Sequence, residues 1–130
     1  MSGCTDLSCT DSWGGGQPFA SPRRIAVEAS GELVVVDSVL QAVVRVHPVT
    51  GDRTIVSGCT RTGRDPSRGF LLVLEFFPGC AGNVIGRGQP FAFPVAIAVE
   101  ANGQLLVADH LLQAVVRVDP ITGDRTLLSR

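Results

Sequence analysis

Residues 16–57 are written a second time at 88–129, 72 positions further on and without a gap. Of the 42 aligned positions 29 are identical, far beyond chance, so both copies must adopt one supersecondary unit. The exchanges are mild: Val34 becomes Leu106, Val49 becomes Ile121, Ile55 becomes Leu127 and Glu32 becomes Gln104. A shorter echo, Ser2-Gly3-Cys4-Thr5 against Ser57-Gly58-Cys59-Thr60, recurs at a spacing of 55. The chain therefore divides into a loop at 1–15, a first unit at 16–57, an insertion at 58–87 and a second unit at 88–130.

Within each copy, short runs rich in β-branched residues alternate with Gly and Pro too closely for helices. Pro22 leads into Ile25-Ala26-Val27, closed by Ala29-Ser30-Gly31. The second copy has Ala101-Asn102-Gly103 there, and Asn-Gly is the strongest short hairpin signal because both residues accept positive φ. Leu33-Val34-Val35-Val36 follows and ends at Asp37; its counterpart ends at Asp109. A third run, 42–46, stops at His47-Pro48, since Pro has no amide hydrogen for a ladder. The turn at 49–52 then enters a fourth run, 53–56. Each unit reads as a four-stranded antiparallel meander, and the fold class as all-β. Because the second strand is apolar on both sides of its pleat, each sheet belongs between two others, as propeller blades do. A sandwich would leave one face wet and alternating.

Composition excludes several partners. Net charge is −1, and the 11 basic side chains, all Arg, are scattered rather than striped, so no nucleic-acid footprint is present. No stretch approaches the roughly 18–20 apolar residues of a membrane-spanning helix. The opening residues lack the basic and apolar regions of a signal peptide, and the compartment is not fixed by the sequence. Cys4 with Cys9 and Cys59 with Cys80 read as two disulfides, which would imply an extracytoplasmic setting, or as free thiols. His47 and His110 stand far from the cysteines at non-equivalent repeat positions, which argues against zinc.

The insertion joins a polar stretch with Arg61, Arg64 and Arg68 to an apolar segment at 70–77. That segment reads as an extra strand or plug on the protein's own surface. Its alternative is a patch for a protein ligand built from Phe70, Leu72, Leu74, Phe76 and Phe77.

Pro22-x-x-Ile25-Ala26-Val27-Glu28 followed by Gly31-x-Leu33-x-Val35-x-Asp37 resembles the blades of NHL-repeat propellers, and 94–109 does so equally. The latter half of each unit, through Ala42 to Gly51 and Ala114 to Gly123, is similar to blades of the streptogramin-lyase type. Arg24 and Ala96 replace the family's small Gly, and Leu40 and Leu112 fall where it usually has Asn. The resemblance implies a six-bladed ring acting as a binding or interaction scaffold, with no cofactor predicted. Its alternative is a metal-dependent lyase or gluconolactonase-like enzyme holding Ca²⁺ or Mg²⁺, with Asp37, Asp109 and His110 as metal candidates.

Asp37 and Asp109 end equivalent strands and suit either ligation or acceptance of amide hydrogens from the next turn. Repetition favours the structural role, because an active site draws different residues from different blades. His110, where the first copy has Ser38, is the best candidate for unique chemistry. Arg45 and Arg117, also repeated, suggest ion pairs or hydrogen bonds to a neighbouring carbonyl, while Glu28 and Glu100 close the first strand facing solvent. No nucleophile triad or phosphate-cradling loop is present, so a binding protein is favoured over an enzyme.

Two blades fall short of the four to eight that close a propeller. Each open sheet face covers roughly 300 Å² from standard strand spacings, or ~8 kcal/mol of unrealised burial. Self-association of three chains would complete six blades; further blades of a longer chain would do the same.

Overall fold

The computed structural model describes residues 3–4, 12–61, 80 and 82–130, and these hold strands and turns but no helix. Two short strands, β1 (Gly3–Cys4) and β2 (Ser12–Trp13), pair with each other. The first copy forms β3 (Pro22–Val27), β4 (Leu33–Asp37), β5 (Ala42–Val46) and β6 (Arg53–Cys59). The link contributes β7 (Val84–Ile85), and the second copy forms β8 (Pro94–Val99), β9 (Leu105–Asp109), β10 (Ala114–Val118) and β11 (Arg125–Ser129).

The protein is all-β, with two antiparallel sheets ordered β3-β4-β5-β6-β7 and β11-β10-β9-β8. Duplicate sequence gives duplicate register: Ile25 faces Val35 as Ile97 faces Val107. Bulges fall at Val43/Val44 and Val115/Val116 alike. The first strand starts earlier than Ile25, at Pro22, because a bulge between Pro22 and Arg24 lets pairing with Asp37 resume.

Two details go beyond the sequence reading. The first sheet has a fifth strand, because β6 runs on to Cys59 and there meets β7. At the Asn-Gly turn only Gly103 has positive φ, at 90°. The Glu100 amide donates to the Gln104 carbonyl and the Gly103 amide to the Glu100 carbonyl. A three-residue loop of this kind needs one left-handed position, not two.

A disulfide joins Cys59 at the end of β6 to Cys80, with Cα atoms 5.6 Å apart. The Cys4–Cys9 pairing and residues 70–77 lie outside the described residues.

The main core is the contact between the two sheets. Val34, Val36, Val43 and Val56 come from one side of the first sheet. Leu105, Val107, Ala114, Val116 and Val118 come from the second, capped by Phe91. In repeat numbering these are opposite faces, since Leu105 and Val107 correspond to Leu33 and Val35, not to Val34 and Val36. The sheets therefore stack in series, each offering a different side.

Candidate functional site

The seam between the sheets is fixed by four side chains of the first copy that donate to backbone carbonyls of the second. Ser38 Oγ reaches the Pro94 carbonyl at 2.6 Å and Gln41 Nε2 the Ala92 carbonyl at 2.9 Å. Arg45 Nη2 reaches the Pro120 carbonyl at 3.2 Å and Ser57 Oγ the Gly123 carbonyl at 2.6 Å. Backbones also close up here: a Cβ on Gly123 would collide with the Val56 carbonyl oxygen. The hydroxyl and amide side chains at three of these positions let the two sheets meet at bonding distance without leaving a buried donor unpaired.

Arg45 is held for this task by Glu28. Its guanidinium donates Nε to Oε1 at 2.6 Å and Nη2 to Oε2 at 2.8 Å, and that bond raises its pKa although burial opposes it. Arg117 and Glu100 form the equivalent pair at 2.8 and 2.9 Å, and the bond from Arg117 pulls the Glu100 carboxyl below its ordinary value. Glu28 and Glu100 thus correct the expectation of solvent-facing carboxylates. Each guanidinium thus meets a bidentate carboxylate just past the end of the first strand of its own sheet, one strand beyond its neighbour, and Arg45 Nη2 also reaches the Pro120 carbonyl.

Asp37 and Asp109 are buried at the ends of β4 and β9. Asp37 accepts the amides of Ala20 at 2.7 Å, Ser21 at 2.9 Å and Leu40 at 2.9 Å. Asp109 takes those of Ala92 at 2.8 Å, Phe93 at 3.0 Å and Leu112 at 3.0 Å. Three of about four acceptor sites per carboxylate are thereby used on the chain's own backbone. His110 lies exposed beside Asp109, its ring edge-on to Phe93 with centroids 6.5 Å apart. Among the described residues no three His, Cys, Asp or Glu side chains converge.

Arg53 and Arg125 were not singled out in the sequence, yet both are buried and pin the segment entering each copy to its outer strand. Arg125 donates to the carbonyls of Gln89 and Ile85 at 2.8 Å each and of Gly86 and Gly88 at 3.2 Å. It lies over the Phe91 ring at 5.6 Å, and burial lowers its pKa. Arg53 repeats this on Gln17, Gly14 and Gly16, over Phe19. The signal available beforehand was their invariance in the two Thr-Gly-Asp-Arg-Thr segments.

Among the described residues, each of the two large sheets keeps one face without a sheet against it. On the first, a groove of about 390 Å³ is lined by Pro22, Ile25, Val35, Val46, Pro48 and Gly51 among others. On the second, a hollow of about 420 Å³ is lined by Ala108, His110, Gln113, Val115 and Ser129 among others. The open faces carry exposed aliphatics: Ile25 is 59% exposed, Val27 62% and Leu128 49%. Their repeat partners Ile97, Val99 and Val56 pack into the core.

No protein-family model matches this sequence, and no curated protein matches it.

Proposed function

We propose that the chain is a binding scaffold of the NHL-like propeller type, its two sheets being consecutive blades of a larger ring. The observation that carries this reading is stacking in series. Sheets that meet through like faces finish the assembly as a pair, whereas these present one unlike face at each end and invite continuation. A second feature agrees. β1 pairs with β2 as Gly3 with Trp13 and Cys4 with Ser12, and the end of β6 pairs with β7 as Gly58 with Ile85 and Cys59 with Val84. Since 12–13 and 84–85 are equivalent positions, β1 stands before the first sheet as the end of β6 stands before the second.

Completion of the ring comes from self-association, three chains giving six blades, or from further blades of a longer chain. Binding then falls to the rim, where the turn tips expose Val49 at 82% and Ile121 at 93%. The alternative, a metal-dependent lyase or lactonase, needs ligands that Asp37 and Asp109 have largely committed to amide hydrogens. A thermal melt after EDTA treatment, repeated with Ca²⁺ and with Mg²⁺, tests the choice. The scaffold reading expects one midpoint throughout; a metal-dependent rise would transfer the function to the enzyme class.

A further inference from the structure

We infer that the occupant of the open face of the first sheet is a second copy of this chain, docked through the open face of its second sheet in the register of the internal seam. This rests on the blade reading above and names its partner atom by atom. The internal seam supplies the pattern. Its four donors have repeat counterparts His110, Gln113, Arg117 and Ser129, three of them the same residue as in the first copy. The carbonyls they meet, of Pro94, Ala92, Pro120 and Gly123, have counterparts at Pro22, Ala20, Pro48 and Gly51.

Donors and acceptors of this second set lie on the two unpaired faces, at opposite ends of the stack. His110, Gln113 and Ser129 line the hollow of the second sheet; Pro22, Pro48 and Gly51 line the groove of the first. Arg117 is already held by Glu100 in the posture in which Arg45 reaches Pro120.

The apolar partners match as well. Val34, Val36, Val43 and Val56 of the internal seam correspond to Leu106, Ala108, Val115 and Leu128, while Phe91, Ile97 and Val99 correspond to Phe19, Ile25 and Val27. Strand β8 shows what cover does to this sequence: Pro94 is fully buried, whereas Pro22, Ile25 and Val27 of β3 are exposed. The seam replaces the Ser38 hydroxyl with the His110 ring, which donates from an N–H to the Pro22 carbonyl of the neighbour. Two different faces make a heterologous contact, which closes into a ring of two, three or four chains within the four-to-eight-blade range.

Light-scattering mass of the whole chain tests this, with Ile25→Arg and Val115→Arg variants that each disable one face. Both positions carry surface in the isolated chain, so folding is expected to persist and is checked by circular dichroism. The wild type is expected to be a closed oligomer, and each variant alone a monomer. Mixed together, the two variants retain one sound face each and form a one-to-one dimer that grows no further. Oligomers that survive either variant, or variants that fail to pair on mixing, overturn the proposal. A wild-type monomer overturns it too, and an apolar dye then separates the two readings. Dye bound by the wild type and lost in Ile25→Arg keeps the blade reading with some other sheet as occupant; no dye binding overturns both.

Discussion

Gln41 and Gln113 hold left-handed backbone at φ 60° and 51°, the only non-glycine residues to do so among those described. Such a conformation costs a residue with a Cβ about 1–2 kcal/mol, of which glycine would return part after its own entropic penalty. Gln41 offsets the cost with its bond to the Ala92 carbonyl, while Gln113 is exposed on the open face. Gln113→Gly should therefore raise the stability of the isolated chain by about 0.5–1 kcal/mol. Gln41→Gly should be close to neutral, because the lost hydrogen bond is worth about 1 kcal/mol. Urea unfolding of the two variants at low concentration measures the difference. The same logic explains the pairing of His47 with Asp119. His47 Nδ1 accepts the Val49 and Thr50 amides, each at 3.2 Å, as Asp119 Oδ1 accepts those of Ile121 and Thr122 at 2.8 and 3.1 Å. Two unlike side chains thus cap one turn through a single acceptor atom.

At the scale of elements, β6 and β11 have nearly the same text but different fates. β6 continues to Cys59, gains β7 as a neighbour and is tied by the disulfide to Cys80, 21 residues away. Closing a loop of that length restricts the unfolded chain by about 3 kcal/mol in the chain-entropy account. A Cys59→Ser, Cys80→Ser double variant should lose up to about that much, read as a lower urea midpoint, and reductant should do the same to the wild type. The four strands of each copy were legible in the sequence because β-branched runs between Gly and Pro leave few other options, and Asp37 and Asp109 marked strand ends. Which face of β4 meets which face of β9 was not legible. Leu33-Val34-Val35-Val36 is apolar on both sides, and no local pattern distinguishes a covered face from an open one. The arginine cages of Arg53 and Arg125 escaped notice for a related reason. A cation bonded mostly to carbonyls meets partners that carry little side-chain identity, so the repeated Thr-Gly-Asp-Arg-Thr segment is the signal that marks them.

For the molecule as a whole, three hydrogen-bonded carboxyls tie stability to acid. The Gly15 amide holds the Asp52 carboxyl below its ordinary value, the Ile121 and Thr122 amides do so for Asp119, and the Arg117 guanidinium for Glu100. A carboxyl with a depressed folded pKa contributes stability that is fully present above its unfolded value, about 4, and is lost as pH falls below it. The melting temperature should stay level from neutral pH to about 5 and decline below about 4. In Asp52→Asn with Asp119→Asn that acid decline should be shallower. The serial stacking of the two sheets has one more consequence. A stack built this way has a head and a tail, and lengthening it never changes what either tip displays. Self-association of the kind proposed would then stop only by circularity, and a substitution that alters curvature without harming either tip would turn closed rings into open-ended fibres.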